Sequence, residues 1–310
     1  MKIAVMATGE IAVPTFQWLS DQSGHDVVGL VTQPDRPVGR KQVLTPPAVK
    51  VLAEKAGLPV LQPEKVRETE ALKEISSWQP EVIVVMAYGQ ILPQTLIDIP
   101  TRAIINLHAS LLPKYRGAAC VQAPIREGDS ATGWSVIHVV KKLDAGNVIL
   151  QEEIALDGTE TGGELHDALA EMAPRVLERA LPLLEREETL VGVPQNENLV
   201  TVVPKLLRVD GELDWHTSAA ALERLIRAYE PWPGTFTTLS GKRLKIFPPI
   251  KVVENDLRPG EVAFEEDQLL VGCGAGALAL GTVQLEGSRR MSGKELWAGK
   301  REALASGLGR

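Results

Sequence analysis

The first 150 residues alternate short apolar runs with amphipathic stretches. The apolar runs are rich in Val, Ile and Ala, as expected for strands that are buried on both faces. They cover residues 3–7, 27–32, 82–86 and 103–106. The stretches between them have helical spacing, and two of these begin near a proline, which the first turn of a helix tolerates. They cover residues 14–20, 47–56 and 68–77. This alternation predicts βαβ units on a Rossmann-like, largely parallel sheet.

The pattern changes after residue 133. Residues 134–140 and 148–154 are strand-like runs, joined by the polar stretch 141–147. Residues 161–188 then have the spacing of a long amphipathic helix. Residues 189–206 contain two prolines and no sustained periodicity, which predicts a linker with some extended structure.

Residues 207–310 predict a second, smaller domain. One helix is expected over residues 218–228. Short strand candidates separated by glycine follow at residues 236–239, 244–247, 260–264, 268–273 and 277–284. This composition favours a small OB-like β-barrel, a form that is used to bind nucleic acid. A length of 310 residues also favours two domains, predicted as 1–188 and 207–310, with 189–206 as the linker between them.

The charge of the chain limits the classes of molecule that it is expected to bind. A net charge of −7 argues against indiscriminate binding to nucleic acid, including DNA, which requires a basic excess. Residues 207–310 nevertheless hold 14 of the 33 basic and 14 of the 40 acidic residues, so the acidic excess lies in residues 1–206. The neutral C-terminal third, with its clusters of Lys and Arg, is compatible with a specific polyanion.

Other features exclude whole classes of protein. No apolar run approaches the roughly 20 residues that span a bilayer, and the N-terminus shows no signal-peptide pattern, so a cytoplasmic protein is expected. The two cysteines, Cys120 and Cys273, are too few for a disulfide framework. The five histidines have no metal-ligand spacing, so no metal is expected.

The polar residue Asn106 ends a predicted buried strand, and His108 lies two residues further on. Strand alternation places both side chains on one face, at the sheet edge where ligands bind. An amide and an imidazole there can stabilise an oxyanion and relay a proton. Asp144, in the polar stretch 141–147, can orient His108 as the third member of such a group. The alternative is that Asn106 caps a turn, His108 is a buried structural histidine and Asp144 is an ordinary turn aspartate.

The segment from Asn106 to Asn147 resembles the folate-dependent formyltransferases. The resemblance lies in Asn106, His108, Ser110-Leu111-Leu112-Pro113, Arg116-Gly117, Gly128-Asp129, Thr132-Gly133 and Leu143-Asp144-Ala145-Gly146. It implies that Asn106, His108 and Asp144 are catalytic. It also implies that the co-substrate 10-formyltetrahydrofolate is bound by Gly89, Gln90 and Leu92, largely through main-chain groups, and by Ser110, Leu111, Leu112 and Pro113.

Other stretches are similar to the family members that formylate methionyl-initiator tRNA. The loop that begins at Thr32 implies tRNA contacts by Arg36, Arg40 and Lys41, and Lys50 adds to this basic cluster. Pro34, Pro37 and Gly39 are expected to break regular structure in the loop. The C-terminal matches include Gly211-Glu212-Leu213-Asp214-Trp215 and Arg290-Met291-Ser292-Gly293. The aromatic residues Trp215, Tyr229 and Trp232 can stack on bases, but packing in the core is an equal alternative.

The resemblance implies direct acyl transfer by a monomer, without a covalent enzyme adduct. Two rival functions remain. Sugar-nucleotide formyltransferases and folate-formyl hydrolases share Asn106, His108 and Asp144, so these residues do not separate them from an enzyme that acts on tRNA. A non-catalytic nucleotide-binding module fused to an RNA-binding barrel is the other rival, but Ala7-Thr8-Gly9-Glu10 does not fit a dinucleotide-binding fingerprint.

Overall fold

The computed structural model describes residues 1–21, 24–39, 41–185 and 192–309. The chain groups into two compact units, each made of three segments. The first unit comprises Met1–Cys120, Thr132–Ile154 and His166–Val203. The second comprises Val121–Ala131, Ala155–Leu165 and Pro204–Arg310. The domain boundaries from the sequence stay predictions. None of the described helices is long and apolar enough to cross a membrane.

Strands and helices alternate along the N-terminal two thirds of the chain. The strands are β1 (Lys2–Ala7), β2 (Asp26–Val31), β3 (Arg36–Val38), β4 (Val43–Thr45), β5 (Val60–Leu61), β6 (Val82–Met86), β7 (Ala103–His108), β8 (Arg116–Gly117), β9 (Ala131–His138), β10 (Val148–Ala155) and β11 (Val202–Val203). The α-helices are α1 (Val13–Asp21), α2 (Ala48–Lys55), α3 (Thr69–Ser77), α4 (Gln94–Ile97), α5 (Gln122–Glu127) and α6 (Gly162–Leu184). The four predicted strands and three predicted helices of the first 110 residues are confirmed to within a few residues.

Seven strands among the described residues form one sheet, in the order β10-β9-β7-β6-β1-β2-β5. The strands from β7 to β5 are parallel to their neighbours, and β9 is antiparallel to β7. Strand β6 is buried along its whole length, which explains its continuous run of apolar residues. Because parallel strands end at the same edge, the residues that follow β6 and β7 lie at the edge where ligands bind such sheets.

The loop with the candidate tRNA-binding residues contains a hairpin. Strand β3 pairs antiparallel with β4, so the expectation that this loop lacks regular structure was wrong. Both strands of a two-stranded ribbon are edge strands, and an edge strand tolerates a proline such as Pro37. Gly39 has a φ of 72°, which suits the turn between the strands. The hairpin leaves Val38, Val43 and Leu44 more than half exposed.

The second unit contains an antiparallel sheet. Its strands are β12 (Thr235–Leu239), β13 (Lys242–Val253), β14 (Val262–Glu265), β15 (Gln268–Gly272), β16 (Ala277–Leu285) and β17 (Met291–Ser292). They follow the order β12-β13-β16-β15-β14, and β17 pairs with β16. The apolar residues of β13, β15 and β16 pack into one core with helix α7 (Ala219–Ala228). The smaller β domain predicted for this part of the chain is confirmed, with its helix over residues 218–228 and its five strand segments.

Helix α8 (Gly293–Leu304) was missed by the sequence analysis. Ser292 accepts a hydrogen bond from the main-chain N–H of Glu295, and the Glu295 carboxylate accepts one from the N–H of Ser292. This reciprocal capping box was visible in the sequence as Ser-Gly-Lys-Glu. The expectation of a single helix after residue 207 was therefore wrong, because the short helix has a weak apolar pattern and its signal lies in its cap.

Candidate active site

His108 is the last residue of β7 and is 6% exposed. Its Nε2 atom lies 2.9 Å from the main-chain oxygen of Tyr115. Because a carbonyl oxygen can only accept, Nε2 carries a proton and donates it. On the other side of the ring, Nδ1 lies 3.7 Å from Oδ2 of Asp144. The imidazole is therefore held between a carbonyl and a carboxylate.

Asp144 lies in the turn that follows β9 and has a φ of 47°. Its Oδ2 atom accepts a hydrogen bond of 2.8 Å from the main-chain N–H of Gly117. The turn lies close against β9, because a Cβ atom at Gly146 would be 1.7 Å from the main-chain oxygen of His138. The Asp-Ala-Gly sequence thus folds as a tight turn that brings Asp144 to His108, the two residues that the sequence analysis had grouped.

The surroundings of His108 change its protonation. Burial lowers the pKa of His108, but its interaction and hydrogen bond with Cys120, followed by the Asp144 carboxylate and the hydrogen bond to Tyr115, together raise it to about 9. An imidazole with this pKa is protonated at neutral pH. The thiol of Cys120 is a buried neighbour of the ring. His108 is therefore a buried cation next to a carboxylate.

Asn106 lies two residues before His108 and pairs with Val85 of β6 and Ile137 of β9. The alternation of the strand places the side chains of Asn106 and His108 on the same face. Asn106 is partly exposed, and the described part of the chain offers no hydrogen-bond partner to its side-chain amide. An amide that is available as a donor at the end of a parallel strand is what its predicted role requires.

The residues after β6 have main-chain N–H groups that are available to a ligand. The Gln90 side chain is already used, since Oε1 accepts from the N–H of Val66 at 2.7 Å and Nε2 donates to the oxygen of Pro63 at 3.0 Å. Within the described residues, the main-chain N–H groups of Gly89, Gln90 and Leu92 have no protein acceptor. A ligand at this loop would therefore meet the backbone. That these residues bind folate stays a prediction.

The turn Ser110–Pro113 uses most of its polar groups internally. The Ser110 hydroxyl is fully buried and donates to the main-chain oxygen of Lys114 at 2.7 Å. The Ser135 hydroxyl donates to the oxygen of Ser110 at 2.7 Å and accepts from the N–H of Leu112 at 2.9 Å. The turn is thus a rigid wall rather than a set of free donors, and its contact with folate stays a prediction.

The basic cluster predicted in the loop that begins at Thr32 is found only in part. Arg36 and Lys41 are exposed, and Arg40 lies outside the described residues. Lys50 does not belong with them, because its Nζ atom forms an ion pair of 2.9 Å with Asp35. The expectation that Lys50 adds to the basic cluster was therefore wrong, since its charge is neutralised within the fold.

The structure also bears on the aromatic residues and on metal ligands. Trp215 and Tyr229 are each 4% exposed and belong to the interior, whereas Trp232 is 48% exposed and has the Arg208 guanidinium 5.6 Å from its ring centroid. Of the three, only Trp232 is available for stacking on a base.

No group of three or more His, Cys, Asp or Glu residues that could hold a metal ion occurs in the described ranges.

The sequence analysis missed a residue that supports the Asp144 turn. Gln195 lies in the predicted linker, and its Nε2 atom donates to the main-chain oxygens of Asp144 at 2.7 Å and Gly146 at 2.8 Å. Its Oε1 atom accepts from Nε and Nη2 of Arg116 at 3.1 and 2.8 Å. Sequence periodicity gives no signal for such a residue, because its partners are between 49 and 79 positions away.

Comparison with known proteins identifies the family to which this chain belongs. The Formyl transferase family matches residues 1–181, and the Formyl transferase, C-terminal domain family matches residues 205–301. The methionyl-tRNA formyltransferase of Akkermansia muciniphila is 50% identical over 308 residues, which are 96% of this chain and 96% of that protein. The methionyl-tRNA formyltransferase of Geobacter metallireducens is 41% identical over 302 residues, 97% of this chain and 96% of that protein. The chain belongs to the methionyl-tRNA formyltransferase family.

Membership in the methionyl-tRNA formyltransferase family settles the choice between the rival functions. The chain is a formyltransferase that acts on methionyl-tRNA, as the sequence analysis expected, and it belongs to the folate-dependent formyltransferases. The crystal structure of WlaRD, a sugar 3N-formyl transferase solved in the presence of dTDP and 5-N-formyl-THF, has a TM-score of 0.64 and covers 93% of this chain and 99% of its own. At 14% identity, that similarity shows the shared fold alone.

Proposed function

We propose that this enzyme transfers the formyl group of 10-formyltetrahydrofolate to the amino group of methionyl-initiator tRNA, with Asn106, His108 and Asp144 as its catalytic residues. The observation that carries the proposal is the buried pair of His108 and Asp144, 3.7 Å apart, beside an available Asn106 amide. The formyl donor supplies an activated carbonyl group for acyl transfer. Cytoplasmic location and a monomeric state stay predictions from the sequence.

The roles of the three residues follow from where charge develops. Attack of the unprotonated amine places negative charge on the carbonyl oxygen, and donors already in position stabilise it at little cost. The side-chain N–H of Asn106 donates to that oxygen, and the positive charge of His108 acts on it across a site of low dielectric constant.

Asp144 accepts the proton of the attacking amine and returns it to the leaving group. Its Oδ2 atom accepts from the N–H of Gly117, whereas no group in the described ranges hydrogen-bonds Oδ1. Oδ1 therefore accepts the proton that the attacking amine loses and returns it, directly or through water, to the leaving nitrogen. Because the amine attacks the formyl carbon itself, no covalent bond to the enzyme is formed.

The residues present fit a folate. A pterin carries both donors and acceptors on one edge, which suits the main-chain groups of Gly89, Gln90 and Leu92 that have no protein partner in the described ranges. The rigid turn Ser110–Pro113 would form the neighbouring wall.

Product analysis tests the proposed reaction. Purified enzyme incubated with 10-formyltetrahydrofolate and charged initiator tRNA should yield formylmethionyl-tRNA, and the Asn106→Ala variant should yield much less. A second assay replaces the tRNA by an amino sugar nucleotide, the type of substrate used by the rival sugar-nucleotide formyltransferases. Formylation of the sugar nucleotide at a comparable rate, or formylmethionyl-tRNA production that is unchanged in the variant, would contradict the proposal.

The basic hairpin loop is proposed to contact the acceptor end of the tRNA. We expect Arg40→Leu to lower kcat/KM for charged initiator tRNA roughly ten- to a hundredfold, because one charge-assisted contact contributes about 1–3 kcal/mol. Folate affinity should stay unchanged. Lys55→Ala, which removes an exposed lysine at the end of α2, is the matched control. A parallel loss of folate affinity in Arg40→Leu would place the loop in the folate pocket instead.

The second unit carries a surface suited to the phosphate backbone of the tRNA. Leu244 and Ile246 of β13 are buried in the core, whereas Arg243 and Lys245, which alternate with them along the strand, are exposed. On this outer side the Arg243 guanidinium lies 4.1 Å from the ring centroid of Phe236, and that of Arg290 lies 3.8 Å from Phe247. We call the surface formed by Phe236, Arg243, Lys245, Phe247 and Arg290 the basic face.

The charges of the basic face are not neutralised within the fold. In the described part of the chain, no carboxylate forms an ion pair with Arg243, Lys245 or Arg290. Elsewhere in the same unit, Arg258 pairs with Glu261 at 3.0 Å. Cations held over aromatic rings, with their polar edges exposed, can bind phosphates, and this supports the proposed tRNA-binding role of residues 207–310.

Removing two of these cations should weaken tRNA binding in a salt-dependent way. We expect the double variant Lys245→Ala, Arg290→Ala to raise KM for charged tRNA about tenfold at physiological salt, with kcat unchanged. The slope of log KM against log salt concentration should fall by about one for each lost phosphate contact. The ion-paired Arg258→Ala is the control and should leave the slope unaltered. Equal slopes in all three proteins would exclude the basic face as a tRNA-binding surface.

A further inference from the structure

The Asp144 turn adopts a conformation that requires support. Asp144 has a φ of 47°, a left-handed conformation that is unfavourable for a residue with a side chain and persists only where neighbours enforce it. One support is the bond from the Gly117 N–H to Oδ2. The main-chain oxygens of Asp144 and Gly146 accept hydrogen bonds from Gln195. The turn is thus held both at its carboxylate and at its backbone.

The chemistry of its partners fixes the orientation of the Gln195 amide. Arg116 has only donors, so the atom facing it must be the oxygen of Gln195, and the NH₂ group must face the two carbonyl oxygens. Both hydrogens of that NH₂ group are used, one for Asp144 and one for Gly146, at 2.7 and 2.8 Å. The oxygen is used twice by Arg116. The side chain of Gln195 is therefore fully engaged. A flipped amide would place its NH₂ group against the donors of Arg116 and its oxygen against the two carbonyl oxygens.

Arg116 is itself held firmly. It is 3% exposed, and its Nη2 atom forms an ion pair of 2.9 Å with Glu197. Hydrogen bonds from Arg116 and then from Lys142 lower the pKa of Glu197 to about 2, so this carboxylate stays charged. The main chain of Arg116 is fixed by β8, which pairs with β11 through Val202. A buried arginine with this many partners provides a fixed point for Gln195.

From this network we propose that Gln195, oriented by Arg116, is a positioning residue for Asp144, and that it keeps the Asp144 carboxylate directed at His108. The inference rests on the catalytic role of Asp144 in the proposed function. Gln195 touches neither substrate in this account and acts through the backbone of the turn. Gln195, which the sequence analysis placed only in a linker, therefore belongs to the machinery of the active site.

The substitution Gln195→Glu tests the inference most sharply. The carboxylate retains its bonds to Arg116 but places an oxygen against the carbonyls of Asp144 and Gly146, so only the support of the turn is lost. A displacement of about 1 Å in a catalytic group can reduce the rate a hundredfold. We expect kcat to fall roughly ten- to a hundredfold, with KM for the formyl donor and for charged tRNA within about twofold of the parent.

Two further variants separate positioning from folding. Gln195→Met removes all four hydrogen bonds at similar side-chain length and should lower kcat to a similar degree. Asn196→Ala is the matched control, because its exposed side chain lies in the same segment and, among the described residues, accepts a hydrogen bond only from the N–H of Asn198. It should leave kcat unchanged. Thermal unfolding and folate affinity are measured for each variant, and kcat is compared at temperatures where all are folded.

A double-mutant cycle identifies the residue through which Gln195 acts. If Gln195 positions Asp144, then Gln195→Glu should cost little additional rate in the Asp144→Asn background. Full kcat in Gln195→Glu, or an undiminished additional loss in that background, would overturn the inference. If Asp144→Asn alone had the parent's kcat, the proposed role of Asp144 would fail instead, which is a distinguishable result.

Discussion

Replacing His108 by alanine is expected to lower kcat by roughly 10²–10⁴, while affinity for the formyl donor changes by less than about twofold. The imidazole ring carries a positive charge because its pKa is raised to about 9, and it lies in a site where water does not screen that charge. The charge matters most when negative charge develops on the carbonyl oxygen. Its removal should therefore affect the transition state far more than the bound ground state.

The chain offers a matched control for this experiment. His166 and Asp167 form a second histidine–aspartate pair, with Nδ1 and Oδ1 2.9 Å apart, but this pair lies at the surface of helix α6. His166→Ala should leave kcat within twofold of the parent. Single-turnover rates with saturating folate and charged tRNA measure both variants, and thermal unfolding verifies that each is folded. If His108→Ala matched His166→Ala, His108 would have only a structural role.

The sequence predicted those parts of the fold that depend on local patterns. The continuous apolar runs of β1 and β6 identify strands buried on both faces, and the position of Asn106 and His108 at the end of β7 follows from the rules of parallel sheets. The long amphipathic helix α6 was likewise predicted, although part of its expected C-terminal end lies outside the described residues. These features need only residues that are close together in sequence.

Contacts between distant segments were beyond the reach of such patterns. Gln195 approaches the Asp144 turn from a segment without periodicity, and only the folded chain shows that its partner Arg116 is buried. The ion pair between Lys50 and Asp35 is a similar case, because the sequence analysis counted Lys50 as part of the basic cluster. Long-range hydrogen bonds decide which charged residues are free for substrate, and a single sequence does not record them.

Replacing Asp144 by asparagine is expected to lower kcat by the order of 10²-fold. The amide oxygen of asparagine can still accept from the N–H of Gly117, so the turn should be retained. The variant loses the proton acceptor at Oδ1 and the negative charge that faces Nδ1 of His108 at 3.7 Å. The corresponding change in the surface pair, Asp167→Asn, is the control and should leave kcat unaltered.

The pH dependence of the Asp144→Asn variant distinguishes loss of charge from loss of shape. The pKa of His108 lies above its ordinary value of 6.5, at about 9, and removal of a neighbouring negative charge should lower it. Because the protonated imidazole is the active form, the alkaline limb of the kcat profile, near pH 9 in the parent, should move to lower pH. The stability contributed by this raised pKa is fully present below pH 6.5 and is lost as the pH rises through 9.

In the Asp144→Asn variant the loss of stability should still begin near pH 6.5, but it should be complete at lower pH and be smaller, as urea unfolding at pH 6.5 and 9.5 would show. An alkaline limb and a stability profile that both match the parent would mean that Asp144 does not act on the charge of His108 and serves only the turn.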